Sequence, residues 1–354
     1  MHYRTIGGKR ANAGMEIKRI MKFPTDTWVE AIDVMMKDVL QVELDPAAAI
    51  AAEHLSTGGK RLRARLAMEA GVRLGASAES MVPWAAACEL LHNATLVHDD
   101  LQDGDRVRRG QPTMWVKYGA AQAINAGDLM WVAPYLALEK LTCEPATCWE
   151  LTRLLARQGA TVVRGQAIEW EMTQDAVTAR ETYLRAIRGK TSALFSLPVA
   201  GSAVLAGWDV EKAQTLAAAF GDIGLLFQMQ DDVLDLFGNK GRAEVGTDLK
   251  EGKISALVAQ HVALHPEDKE ELLQLLKTKR DETSDESVLD MVERFRTGGA
   301  LLKVCEDILE IHQDACHAAI VQEHPGIQDL METLTAVILS PIEHVFSELH
   351  LLGK

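Results

Sequence analysis

The chain has 354 residues, 47% hydrophobic but only 5% aromatic, which is enough apolar mass to bury a large core. Asp and Glu outnumber Lys and Arg by 51 to 37, and the formal charge of −14 excludes nucleic acid as the partner of most of this surface. No apolar run approaches the roughly 20 residues of a membrane-spanning helix, so a cytoplasmic protein with no transmembrane segment is expected.

Residues 1–25 carry Gly, Lys and Arg without periodicity and are expected to form a loose N-terminal extension, with 26–354 as one domain. From Asp26, a candidate N-cap, Trp28, Ala31, Ile32, Met35, Val39 and Leu40 recur at helical spacing. The same pattern predicts helices near 60–75, 80–104, 117–141, 148–171, 178–206, 210–238, 253–264, 267–279, 286–294, 299–322 and 327–350. Short joints separate them, at Gly75, Gly110-Gln111-Pro112, Gly207, Gly238-Asn239, His265-Pro266 and His324-Pro325-Gly326. Nothing reads as a sheet, a linker or a repeat, so the predicted fold is all-α, a single helical domain. The cysteines (Cys88, Cys143, Cys148, Cys305, Cys316) show neither CxxC nor Cys/His metal spacing and are expected to be free thiols.

Two acidic clusters stand at the ends of apolar helical runs. Asp99, Asp100 and Asp103 close the first, and Asp231, Asp232 and Asp235 repeat the DDxxD spacing in the second. Residues four apart share a helix face, so the outer carboxylates of each cluster converge and repel one another unless a cation lies between them. Hard carboxylate oxygens suit Mg2+, which commonly shares its coordination shell with substrate phosphates. A solvated acidic helix end accounts for either cluster alone, but poorly for two copies set among Leu, Val and Phe.

Basic residues complement them. In Gly58-Gly59-Lys60-Arg61-Leu62-Arg63, Lys60 and Arg63 lie three apart at a helix start, where backbone N–H groups also favour an anion. Arg108 and Arg109 follow the first cluster and suit phosphate, and Lys190-Thr191 and Lys253 add donors. Taken singly, His92 reads as a core histidine and Thr191 as a helix cap.

In these segments the sequence resembles the trans-isoprenyl diphosphate synthases, or polyprenyl synthetases. The resemblance runs through GGKRLR at 58–63, ELLHNATLVHDDLQDGDRVRRGQPT at 89–113, GQAIE at 165–169, KTSALF at 190–195, FQMQDDVLDLFG at 227–238 and GTDLKEGK at 246–253. It implies a helical bundle around a deep central cavity, the isoprenoid synthase fold, and a homodimer. The implied reaction joins an allylic prenyl diphosphate to isopentenyl diphosphate by ionisation, condensation and proton elimination. By the same resemblance the six aspartates bind Mg2+; Arg108, Lys190, Gln228 and Lys253 contact the allylic diphosphate; and Lys60, Arg63, His92 and Arg109 hold isopentenyl diphosphate. Gln166 and Glu169 match the family more loosely. Where the family often has a lysine before GTD, this chain leaves Lys240 and Arg242 as candidates.

Ala94 and Thr95, about one turn before Asp99, are small where short-chain members place an aromatic, which implies a product of geranylgeranyl length or longer. Met130, Trp131 or Tyr135 is a candidate cavity floor, and ordinary core packing explains them equally well. The rivals are a terpene cyclase-like enzyme, a head-to-head synthase and a noncatalytic subunit of a heteromer. The GGKxxR segment and the Arg108-Arg109 pair speak against the first two, and two intact acidic clusters against the third.

Overall fold

The computed structural model describes residues 24–41, 45–175, 179–238 and 246–351. The expected extension up to residue 23, and Lys240 with Arg242, lie outside the described residues.

Helices account for almost all of the rest, and several begin where a side-chain acceptor replaces the missing intrahelical partner. Asp45, Ser77, Asp209 and Ser284 each accept from the N–H three residues on, at 2.9, 3.2, 2.8 and 3.1 Å. In chain order the first half comprises Val29–Leu40, Pro46–Ser56, Leu62–Arg73, Ala78–Gln102, Met114–Tyr118, Ala120–Leu138 and Pro145–Asp175. The second half is built on Arg180–Ile187, Ala193–Leu205, Val210–Phe237, Ala256–Leu264, Ala300–His317 and Pro325–Leu339, with shorter helices between them.

Three features depart from the sequence expectations. The helix Pro46–Ser56 was not expected, although Asp45 as cap and Pro46 in its first turn are its local start signals. The strands Val107–Arg108 and Gln111–Pro112 pair antiparallel, so the turn after the first aspartate cluster is a minimal hairpin where no sheet was expected. Cys143 and Cys148 are joined by a disulfide, with Cα atoms 6.4 Å apart, which corrects the expectation of five free thiols. The bridge spans the short connection between Ala120–Leu138 and Pro145–Asp175, where the two cysteines are close enough to bond.

Buried apolar residues fall into two clusters. One gathers around Ala78–Gln102 and includes Trp84, Leu90, Met130 and Leu155; the other gathers around Val210–Phe237 and includes Phe220, Ile223, Phe295 and Leu334. Ala193–Leu205 and Leu62–Arg73 contribute to both. Trp84 is fully buried, its indole N–H donates to the Pro198 carbonyl at 3.0 Å, and its ring occupies the space where a Cβ on Gly201 would lie 2.0 Å away. The missing side chain thus brings two helices together over a large apolar surface. Among the described residues, no helix is long and apolar enough to cross a membrane.

Denatured without reductant, the protein is expected to expose three reactive thiols, Cys88, Cys305 and Cys316. A count of five by thiol titration would show that the bridge is absent.

Candidate active site

Asp99, Asp100 and Asp103 occupy the C-terminal end of Ala78–Gln102, where the helix dipole already disfavours negative charge. The structure divides the three. Asp99 faces Lys190, with Nζ 3.6 Å from Oδ2, and Asp103 faces Lys253 at 3.8 Å. Asp100, rotated about 100° around the helix, instead accepts from Arg108 Nε at 2.5 Å, and its Oδ2 is buried with no hydrogen-bond partner among the described residues. Burial raises the Asp99 and Asp100 carboxyls to about 6, partly offset by Lys190 and Arg108 respectively. Burial raises Asp103 as well.

The two lysines come from the other half of the chain. Lys190 also donates to Glu169 Oε2 at 2.5 Å, and Lys253 lies 3.0 Å from Glu251. Burial works against both ammonium groups, but the surrounding carboxylates prevail and hold their pKa values above the usual lysine range.

Lys190 projects from a turn of π-helix, Arg188–Ser192, inserted between Arg180–Ile187 and Ala193–Leu205. Two glycines set it in place. A Cβ on Gly165 would lie 2.3 Å from the Lys190 backbone nitrogen, and one on Gly189 would lie 2.6 Å from the Gly165 Cα. The two backbones therefore touch directly, and the π turn is pressed against the Pro145–Asp175 helix that carries Glu169.

The second cluster is organised differently. Asp232 is buried and accepts three hydrogen bonds, from the Tyr183 hydroxyl at 2.7 Å, the Ala256 N–H at 2.7 Å and Gln228 Nε2 at 3.0 Å. Burial still prevails over these donors and raises its carboxyl to about 6. Asp235 is buried and accepts from the Asp248 N–H at 3.0 Å, which ties it to the turn that leads to Lys253. Asp231 is the more accessible of the three. The two clusters are linked through the π turn, because Thr191 Oγ1 donates to Gln228 Oε1 at 3.2 Å and Gln228 in turn reaches Asp232.

A basic group lies beside this centre. Arg63 packs over the rings of Phe195 and Phe227 at 4.9 and 6.0 Å, and Arg109 donates to the Gly58 carbonyl and to Thr57. Neither makes an ion pair among the described residues. Burial, reinforced by Arg63, Arg109 and Arg108, drives the His92 pKa well down, so the ring is neutral, and its Nδ1 is buried without a hydrogen-bond partner among the described residues. Lys60 is exposed at the same turn. The rest of the basic run is structural: Arg61 pairs with Asp33 at 2.9 Å and donates to the Leu55 carbonyl, while Arg65 pairs with Asp26.

Two positions here carried no signal in the sequence. Glu89, buried, accepts from the Ala64 N–H at 3.1 Å and so satisfies one of the free donors at the helix start expected to face an anion. Tyr183 is an aromatic at helical spacing, indistinguishable from a core residue until Asp232 is seen beside it.

A cavity of about 650 Å³ opens from the first cluster, lined by Thr95, His98, Asp99, Trp131, Val162 and Lys190 among others. Thr95 faces it, whereas Ala94 is fully buried in the core. Of the three floor candidates Trp131 lines the cavity, and Met130 is fully buried.

Among the described residues no three His, Cys, Asp or Glu side chains form a ready metal-binding group. The donor chemistry nonetheless fits a hard cation: the Asp100 oxygen lacks a partner, and burial leaves Asp99 and Asp103 short of compensating positive charge.

Residues 46–294 match the family model described as Polyprenyl synthetase. A short chain isoprenyl diphosphate synthase of Methanocaldococcus jannaschii is 37% identical over 256 residues, covering 71% of this chain and 77% of that protein. A geranylgeranyl diphosphate synthase of Methanosarcina mazei is 35% identical over 64% of this chain and 71% of its own length. In three dimensions the chain is similar to a geranylgeranyl pyrophosphate synthetase from Pyrococcus horikoshii, with TM-score 0.79 and 25% identity over 91% of this chain and 98% of that one. A polyprenyl synthase from Caulobacter crescentus, complexed with calcium and isoprenyl diphosphate, aligns with TM-score 0.79 and 26% identity over 92% and 97% of the two chains.

Replacing Tyr183 by Phe removes one of three donors from a buried carboxylate. The expected loss of unfolding free energy is about 1–3 kcal/mol, measured from the denaturant midpoint, and an unchanged midpoint would deny the phenol this role.

Proposed function

Given that the chain belongs to the polyprenyl synthetase family, we propose that it condenses an allylic prenyl diphosphate with isopentenyl diphosphate, head to tail, to a product of geranylgeranyl length or longer. The observation that carries this reading is the pairing of Asp99 and Asp103 with Lys190 and Lys253, beside a second basic group at Arg63 and Arg109. Two diphosphates need two cationic sites, whereas a cyclase that ionises one diphosphate needs only one.

In this scheme Lys190 and Lys253 hold the allylic diphosphate, and its hydrocarbon lies in the cavity past Thr95. The carboxylates of Asp99, Asp103 and Asp231, with the Asp100 oxygen that Arg108 leaves over, would hold Mg2+, which when bound neutralises the phosphates and favours their departure. The lysines are preorganised by Glu169 and Glu251, so they take up the charge that develops as the allylic C–O bond breaks without reorganising. Lys60, Arg63 and Arg109 hold the second diphosphate, with neutral His92 as a hydrogen-bonding partner. The double bond of isopentenyl diphosphate attacks the allylic carbocation, and the departed diphosphate accepts the proton then lost. The apolar wall around Val162 and Trp131 keeps water from the cation.

The purified chain, given farnesyl and isopentenyl diphosphates with Mg2+, is expected to yield geranylgeranyl diphosphate or longer products. Chelation is expected to stop turnover, and Asp99→Asn to lower kcat by about 100-fold or more. Full turnover in the presence of chelator, or failure to elongate farnesyl diphosphate, would overturn the corresponding part of the proposal.

The active form in this reading is a homodimer. Trp149, Ala156, Val163 and Trp170 recur every seven residues along Pro145–Asp175 and are all exposed, the two Trp residues at 62% and 47%. Such a stripe suits packing against another helix. Sedimentation should find a dimer, and Trp149→Lys combined with Val163→Lys should shift it to monomer; a parent protein that sediments as a monomer would overturn the assignment.

A further inference from the structure

We propose that Gly127 is a specificity-positioning residue: it seats the His98 ring against Trp131, and this stack closes the hydrocarbon cavity and sets product length. The inference rests on the function proposed above and assigns the stop to residues other than Ala94 and Thr95.

His98 immediately precedes the first acidic cluster, on the Ala78–Gln102 helix. Its ring occupies the place of the side chain that Gly127 lacks: a Cβ there would lie 2.2 Å from Nε2 and 2.4 Å from Cδ2. Among the described residues no hydrogen bond fixes the ring. Asp128 Oδ1 is 3.3 Å from Nε2, yet Nε2 makes no hydrogen bond of acceptable geometry. The slot itself therefore determines where the imidazole lies.

On its other side the ring stacks with Trp131, the planes 19° apart and the centroids 6.4 Å apart. Trp131 in turn lies against Gly159 of the Pro145–Asp175 helix, where a Cβ would be 3.4 Å from the indole. Three helices thus meet through one stack: His98 from the first aspartate helix, Trp131 from Ala120–Leu138, and the bare backbone at Gly159. His98 and Trp131 both line the cavity, so they form its wall where the three helices converge. Thr95 lies one turn nearer the helix start and is already small, and Ala94 has no surface on the cavity. With no bulky side chain at those positions, the bulk that a growing chain meets beside the first aspartate helix is the aromatic stack, Trp170 lying across the cavity on Pro145–Asp175.

Close packing makes the consequence of each change directional. A methyl group at position 127 drives the His98 ring out of its slot and into the cavity, whereas removal of the indole opens the wall. The test compares product chain lengths, resolved by chromatography after dephosphorylation, for the parent and four variants with geranyl and isopentenyl diphosphates. Gly127→Ala is expected to shorten the dominant product by at least one isoprene unit. Trp131→Ala is expected to lengthen it by at least one. His98→Ala should not shorten it, and Gly127→Ala/His98→Ala should return to at least the parental length, because the displaced ring is gone. A dominant product unchanged in Trp131→Ala would overturn the proposal even if Gly127→Ala failed to fold, and so would a shortened product that persists in the double variant. Absence of any condensation by the parent would instead overturn the proposed function.

Discussion

The site is arranged around carboxylates that are partly withdrawn from water at a helix C-terminus and supplied with cations from elsewhere in the chain. Asp99 and Asp103 are placed where burial and the helix dipole both oppose their charge. Lys190 and Lys253 reach them from segments that follow them by 91 and 150 positions (190 − 99 and 253 − 103). Neither lysine could be held there by its own local structure. One depends on a π turn pressed onto the bare backbone of Gly165, the other on a turn tied to Asp235. The same partly compensated field makes the centre receptive to a ligand combining negative oxygens with bound cations.

The two acidic repeats look identical in the sequence but do different work. In the first, two carboxylates face lysines across the site. In the second, Asp232 and Asp235 are turned to protein donors and hold Tyr183, the start of the Ala256–Leu264 helix and the turn at Asp248. A spacing rule states only that residues four apart share a face; it does not say whether that face meets a cavity or a neighbouring helix.

That distinction marks what was legible beforehand. The helices were visible because apolar residues recur with helical period, and their order followed from Gly and Pro joints. The residue types of the site were visible because DDxxD, GGKRLR and the Arg108-Arg109 pair put unusual charge density in apolar surroundings. Helix Pro46–Ser56 escaped because its Ala-rich body has no strongly amphipathic pattern, even though Asp45 and Pro46 announce its start. The Cys143–Cys148 bridge was hidden because a five-residue separation is neither CxxC nor a metal spacing. Glu89 and Tyr183 act through partners 25 and 49 positions away, and no local pattern encodes such a contact. Arg61 and Arg65 carry the same charge as Arg63 in the sequence, but the fold ties them to Asp33 and Asp26, partners no local pattern encodes.

The division of the buried residues into two clusters carries one more implication. The first aspartate helix belongs to one and the second mainly to the other, its Ala213 and Ala217 lying in the first, and the π turn with Lys190 leads into Ala193–Leu205, which contributes to both. A molecule held at once by both aspartate helices therefore adds a further tie between two clusters that already share helices, and its affinity adds to their cohesion. At a concentration one hundred times its dissociation constant such a tie contributes about 2.7 kcal/mol to resistance against unfolding. Scarcity of precursor in the cell would then shorten the lifetime of the protein itself, linking its abundance to the supply of what it consumes.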